Sequence, residues 1–502
     1  MEHTISRQEF DTIFNRYRQD FLAGLDEKIL SPHPVAKSTQ ALTYYVNSDI
    51  GSDANDGLTE ETPFASIQEA IDRLPDLNLH QHQIYVAEGT YDAFCVSGKI
   101  FLPTQDSGGD GGLIITGELW TPTLTTGSTH GVPDGGTTKQ TIVDNSAEWT
   151  PHELRGYWVR IVNGDDFEYR LIRDNTATEI YMVPEGFSIN PPAMTPFAIL
   201  ESVCEVQGSS PLGGGKYGSG VRDVVGCVKI KNFHFNGEST EMLGFYGINT
   251  TGLVLENCKA SGHTYAGFYT QNCGPLRVTL KYCYATGSDD VGFSISRSSG
   301  RMNFDDCFAY DNTNDGGTFY ANPYIEEFSG AADSNGGCGF MVQGSEWING
   351  EEVCCAGNTG CGLAVDSGIG MCDLDKGTFE SNGGHGISVS DWSGNLPKRA
   401  ALSASGTLVC KDNTKSGDYL EWGAAANFTD LTGTGNGRYG IEFGSAALHA
   451  SVRITGDTAV TGSSGDVTMD GGSTAKSYAV DFANDGDAVQ NANTLAVAMR
   501  KD

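Results

Sequence analysis

Positive charge is scarce in this chain. Of 502 residues only 31 are Lys or Arg, against 64 Asp or Glu, and the resulting net charge of −33 is spread along the sequence rather than blocked into a tail. Such a field opposes phosphate backbones and anionic membranes, which argues against nucleic acid as a partner; binding an acidic polysaccharide would need local Arg/Lys or bridging cations. No apolar run reaches about 18 residues, so neither a transmembrane helix nor membrane insertion is expected. The opening "MEHTISRQEFDTIFNRYRQDF" carries charges throughout and has no apolar h-region, so it does not read as a secretory signal. Also missing are zinc-ligand spacings among Cys and His, a Ser-His-Asp constellation, a P-loop, an HExxH and a dinucleotide fingerprint. The 13 cysteines are an odd number for a chain made in a reducing cytoplasm, and they read as free, packed thiols.

Glycine is abundant, at 66 residues, while charged residues make up only 19%. That is the composition of a turn-rich all-β chain. Residues 1–40 differ: Ile5, Phe10, Ile13, Phe14, Tyr17 and Phe21 form one apolar helical stripe, and "SPHPVAKSTQ" ends it. This segment is expected to be a helical anchor and linker, packed on its own chain or docked elsewhere. Residues 41–114 read as a strand, an Asp/Asn/Gly turn cluster, a short helix from Ser66 to Leu74 and a further strand. Asp53, Asn55 and Asp56 in that cluster make an incomplete calcium loop, and Asx turns explain the same letters. Residues 115–200, with "GYWVRIV", "EYRLIRD" and "TEIYMVP", alternate like short antiparallel strands. They are expected to form a small inserted β module whose core holds Trp149 and Trp158.

Beyond residue 200 the sequence is periodic. Gly247, Gly267, Gly292, Gly316, Gly339, Gly362, Gly386, Gly417 and Gly440 are spaced by 20, 25, 24, 23, 23, 24, 31 and 23. Nine residues before three of these glycines stand Cys258, Cys283 and Cys307. Four residues before the last six stand Asn312, Asn335, Asn358, Asn382, Asn413 and Asn436. A repeat of about 24 residues with short strands and Gly/Asn turns is the coil of a parallel β-solenoid, whose stacking sets equivalent residues about 4.8 Å apart. Inward Asn side chains then bond to the turns above and below. Rungs are expected over 201–454, with 455–502 closing the fold.

The stretch "YYVNSDIGSDANDGLTEETPFASIQEAID" resembles the opening of right-handed parallel β-helix proteins of the pectate-lyase-like superfamily, in the form frequent in bacteriophage tail spikes and tail fibres. The resemblance implies a homotrimer carried on a virion, attached to the particle through residues 1–40, that recognises a bacterial surface glycan as host receptor. The lack of a signal sequence suits a virion protein, made in the host cytoplasm and released by lysis. The short C-terminal part departs from large tail spikes. A glycan depolymerase and a non-catalytic structural spike remain as alternatives.

Two groups of residues are candidates for chemistry. Asp289 and Asp290 lie in the turn before Gly292, and one repeat on is "YDNTNDGG", with Asp311, Asn314 and Asp315. Carboxylates on adjacent turns suit a glycosidase pair, and crowding raises one pKa to supply a general acid; the same letters also describe capped, solvated turns or a cation bridged between rungs. The second group is "TFYANPYIEEFSGAAD", where Tyr320, Tyr324, Glu326, Glu327 and Asp333 combine aromatic faces with carboxylates, as a carbohydrate groove does. Trp347, His263 and Tyr265 are placed to extend it. Alternating aromatics are equally the pattern of core or intersubunit packing. Lyase chemistry would look to Arg297 or Arg301 as the base. No catalytic metal or cofactor is expected, with structural Ca²⁺ left open. The "GGHG" around His385 tempts as a catalytic motif, but its position in the repeat makes it a solenoid turn, four turns or roughly 19 Å from Asp290.

Overall fold

The computed structural model describes residues 36–483 apart from short gaps, of which the longest are 103–111, 209–216, 391–399, 444–450 and 471–478. The expected helical anchor therefore lies almost wholly outside the described residues, as does the end of the expected closing region.

From Thr43 onward the chain winds into an all-β, right-handed parallel β-helix of about 12 turns, the hand that parallel crossovers almost always take. One turn shows the plan, with strands Gly252–Glu256, Lys259–Ser261 and Ala266–Gln271. Each pairs in parallel with its equivalent one turn on: Leu253 with Val278, Ala260 with Ala285, Phe268 with Phe293. The first and second strands of every turn share one sheet and the third strands form a twelve-stranded second sheet. Left-handed residues make the corners: Asn232, Asn257, Tyr282 and Asp306 between first and second strands, Asp311, Ser334, Ser381 and Asp412 after the second, Asn249, Asn272 and Arg297 after the third. Asn and Asp dominate because a short polar side chain tolerates positive φ.

Alternation along each strand turns every other side chain inward. Leu253, Leu255, Val278, Leu280, Met302 and Phe304 are all buried and belong to one continuous core. Phe268 stacks on Phe293 at 5.2 Å, and Phe304 meets Phe293 and Phe319 edge-on. The expected asparagine ladder is present. Asn335 Nδ2 donates to Asn358 Oδ1 at 2.9 Å and to the Ala309 carbonyl, while its backbone N–H also donates to Asn358 Oδ1. The same three bonds recur at Asn358, Asn382 and Asn413. Cys258, Cys283 and Cys307 form a second ladder, each thiol donating to a carbonyl of the preceding turn, that of Ile230, Leu255 or Leu280.

The opening segment is itself solenoid: Thr43–Val46, His82–Val86 and Leu113–Gly117 pair in parallel and lead into Cys227–Lys231. The short helix runs Ile67–Asp72, capped by Ser66, whose hydroxyl accepts the Glu69 N–H. In the turn cluster Asp53 accepts the N–H groups of Ala65 and Ser66, and Asp56 accepts the Leu58 N–H and the Thr62 O–H. At the other end, parallel pairing continues from Ser451–Thr455 to Ala479–Ala483, beyond residue 454.

The inserted antiparallel module leaves the solenoid after Leu113–Gly117 and returns at Cys204–Gln207, a corner between first and second strands. Its core holds Trp149 with Ile161, Ile172, Phe187 and Phe197. Trp158 is not in that core, contrary to expectation. Strand alternation puts it on the opposite face from Val159 and Ile161, beside its cross-strand partner Leu171. There it packs on Tyr282, Tyr284, Phe308 and Ala331 of the solenoid, and its indole N–H donates to the Tyr282 carbonyl at 3.0 Å.

Candidate functional site

The aspartate turn precedes the third strand of two consecutive turns. Asp289 and Asp290 lead into Val291–Ser296, and Asp315 leads into Gly317–Tyr320. Asn314 joins them, its N–H donating to the Asp290 carbonyl at 2.8 Å and its Nδ2 to Asp290 Oδ1 at 2.5 Å. Asp289 is exposed, with its N–H on the His263 carbonyl at 2.8 Å. Asp315 is partly buried, and its Oδ1 accepts the Cys338 N–H at 2.6 Å. Burial pushes its carboxyl above the ordinary range, the Cys338 N–H opposes that, and the neighbouring Asp290 charge adds to it. The turn therefore sets beside Asp290 a carboxyl whose burial favours its protonated form, an arrangement that general acid chemistry can use. Among the described residues no three His, Cys, Asp or Glu side chains converge as a metal ion would need.

The second group lies elsewhere. Tyr320 ends its third strand, at the far end from Asp315, and Ser296 stands beside it one turn earlier. The length of the Val291–Ser296 strand, roughly 17 Å, thus separates the aspartate turn from the aromatic face. Around the corner come Tyr324, Glu326 and Glu327 on the first strand of the turn, and Trp347 on the next. Tyr320 and Trp347 are 47% and 36% exposed, among the few large aromatic side chains so open to solvent.

A bulge shapes this face. Ile325 pairs with Met302 and Phe328 with Phe304, so three steps on one strand oppose two on its neighbour. The next turn repeats the mismatch, Ile348 and Gly350 facing Ile325 and Phe328. Ile325 and Phe328 both stay in the core, and the extra residue leaves Glu326 and Glu327 consecutive on the outside. Bulges of this kind re-aim side chains and gather near functional sites. Arg301 Nη1 meets Glu326 Oε1 at 3.0 Å, and Arg277 Nη2 lies 3.7 Å from Glu327 Oε2. Asn303 donates to Glu327, and Asn349 to the Glu326 carbonyl at 3.1 Å. The Arg297 guanidinium sits over the Tyr320 ring at 6.0 Å. Arg297 and Tyr320 on one side, and Arg277, Arg301, Tyr324, Glu326, Glu327 and Trp347 on the other, thus flank one corner of the solenoid.

Other expected members stand apart. Asp333, at the end of the second strand, is held by Arg173 of the inserted module at 2.6 and 2.9 Å and by the Ala356 N–H. His263 is buried, its Nε2 against the Phe235 carbonyl at 3.1 Å, and burial pushes its pKa down to about 4. It therefore does not extend the exposed face; its ring packs against Gly237 and Gly244, where a Cβ would collide with it. Tyr265 packs beside Tyr269 at 6.3 Å. His385 is buried, stacked on Tyr419 at 4.4 Å, with Nδ1 accepting the Ser416 N–H; burial and the charges of Lys415 and Arg438 push its pKa down to about 3.

Arg277 escaped the sequence reading, and so did the bulge. A usable signal existed. Inward residues are two apart in "VTL" and "MNF" but three apart in "IEEF", which announces one residue too many.

The family model described as "Right handed beta helix region" matches residues 243–399. No curated protein sequence matches the chain. Among solved structures it is similar to the A-module of mannuronan C-5 epimerase AlgE4 from Azotobacter vinelandii, at 12% identity and TM-score 0.43, covering 85% of this chain and 100% of that one. It is also similar to the Gp54 tailspike of Acinetobacter baumannii bacteriophage AP22, solved with capsular saccharide, at 12% identity and TM-score 0.28, covering 74% of each chain. The catalytic domain of a GH87 α-1,3-glucanase in complex with nigerose follows, at 10% identity and TM-score 0.40, over 71% of this chain and 91% of that one.

Proposed function

We propose that this chain is a tail-spike-type virion protein that binds a bacterial surface polysaccharide along the face built from Tyr320, Tyr324, Glu326, Glu327 and Trp347. The observation that carries the reading is the exposure of Tyr320 and Trp347 on neighbouring turns, with Arg297, Arg301 and Arg277 held beside them. Sugar rings offer C–H faces that stack on aromatics and hydroxyls that bond to carboxylates and guanidinium groups, so a polar face with open aromatics suits them. A homotrimer attached to its particle through residues 1–40 completes this reading; it rests on the resemblance of the opening segment.

A depolymerase is the second reading, and one observation favours it: Asp315 is partly buried beside Asp290 and holds its proton more tightly than an ordinary carboxyl. A non-catalytic structural spike is the third.

The deciding experiment incubates the purified protein with capsule or lipopolysaccharide from candidate hosts. Binding without new reducing ends supports a receptor-binding spike. New reducing ends, abolished by Asp315→Asn or Asp290→Asn with binding retained, support the depolymerase, and unsaturated products absorbing in the ultraviolet would mean a lyase. Unaltered binding after joint Tyr320→Ala and Trp347→Ala replacement would reject the proposed face.

A further inference from the structure

Two thiols stand apart from the rest. Ten of the 13 cysteines are buried, whereas Cys227, Cys338 and Cys361 are partly exposed. Cys338 and Cys361 occupy the same slot of consecutive turns. The strands that follow them pair Phe340 with Leu363, and the Gly339 N–H donates to the Cys361 carbonyl at 2.9 Å. In-register neighbours of this kind stand about 4.8 Å apart, inside the Cα separations of about 4.4–6.8 Å that a disulfide spans. The two thiols are already within hydrogen-bonding reach of one another. The ladder of Cys258, Cys283 and Cys307 has the same one-turn spacing, but each of its thiols is sealed from solvent and donates to a backbone carbonyl. Access, not spacing, separates the two sets.

The surroundings also favour a thiolate at one of the pair. The hydrogen bond from Cys338 pushes the Cys361 thiol below its ordinary range, against burial, and the His385 backbone and the Lys415 charge act in the same direction. Donating that bond pushes Cys338 the other way. A thiolate exposed to solvent is the nucleophile of disulfide exchange.

We propose that Cys338 and Cys361 form a redox-modification site, an inter-turn dithiol that closes to a disulfide at the expense of a low-molecular-weight disulfide such as oxidised glutathione. The Cys361 thiolate attacks one sulfur of glutathione disulfide, forming a mixed disulfide and expelling one glutathione thiolate. Cys338, after giving its proton to solvent, attacks the Cys361 sulfur and expels the second glutathione thiolate. The protein gives up two electrons and two protons, and the oxidant is reduced to two molecules of glutathione. The new bond ties the turn whose Cys338 N–H holds Asp315 to the turn that follows. This inference does not depend on any glycan being bound.

The test incubates the whole protein with oxidised glutathione, alkylates it in denaturant, and maps the digested peptides by mass spectrometry. The expected result is a cross-linked pair of peptides carrying Cys338 and Cys361, released by dithiothreitol, while Cys258, Cys283 and Cys307 are recovered fully alkylated. Cys338→Ser should stop the reaction at the first step, leaving glutathione on Cys361. Full alkylation of both Cys338 and Cys361 after oxidation would overturn the proposal, as would cross-links distributed over the buried cysteines. The wild-type map decides by itself should the variant fail to fold.

Discussion

Arg173 of the inserted module closes a two-point ion pair on Asp333, 160 residues further along the chain, with Nε 2.6 Å from Oδ2 and Nη2 2.9 Å from Oδ1. Arg155 and Arg170 flank it, donating to the hydroxyls of Tyr310 and Tyr282, both at 2.6 Å. Three arginines of the module therefore meet the solenoid. Both members of the Arg173–Asp333 pair are mostly shielded from solvent, so removing one leaves the other charge uncompensated, at a cost of about 3 kcal/mol. Asp333→Ala should lower the unfolding midpoint in urea, and Arg173→Ala in an Asp333→Ala background should add little. Glycan affinity should not change, because the carboxylate is committed to the module.

The asparagine ladder predicts a different kind of loss. Asn358 Oδ1 accepts both the Nδ2 and the backbone N–H of Asn335. Asn358→Ala removes that acceptor and strands two buried donors, which should cost roughly 2–4 kcal/mol. Asn335→Ala and Asn358→Ala together should cost less than their sum, since they share bonds. Chemical denaturation of the three variants checks both statements.

Asp418 makes stability depend on pH. It replaces the inward apolar residue held by Ile387 and Ile441 in the adjacent turns, and burial pushes its pKa up to about 7 from the ordinary 3.8. The folded chain thus holds a proton that the unfolded chain has lost. Its contribution is fully present below about pH 4 and is lost as pH rises to and through 7, by roughly 4 kcal/mol at most. Asp418→Asn should flatten that part of the profile and be the more stable protein at pH 8. An unchanged slope of midpoint against pH between 4 and 8 would contradict the assignment.

The exposed aromatic face predicts affinity changes without stability changes. Trp347→Ala should weaken binding of the cognate polysaccharide about tenfold or more, as truncated aromatic anchors do. Its unfolding free energy should stay within about 0.5 kcal/mol of wild type, since surface side chains contribute little to folding. Isothermal titration and urea denaturation on the same preparation measure the two quantities.

The solenoid was readable because its period is written in small residues that have no freedom to vary. A glycine packed against the carbonyl of the next turn, as at Gly316 and Gly339, and an inward amide that must bond above and below, recur in the letters as they do in space. The aspartate turn was readable for the same reason: residues in one slot of the repeat are neighbours in the fold. The carbohydrate candidates were read by proximity in sequence, and that rule fails across corners. Tyr324 and Asp333 are nine residues apart, yet one stands beside Trp347 and the other beneath the module.

Local spacing therefore dictated the coil, the ladders and the stacking of Asp290 on Asn314, because each turn contacts its neighbours through equivalent positions. Where the module docks, which way Trp158 faces, and how the bulge turns Glu326 and Glu327 toward Arg301 and Arg277 are long-range matters. They depend on which strand faces meet after the chain has wound, and no period in the letters records that. The folded arrangement moved Asp333 and His263 out of the candidate face and brought Arg277 into it.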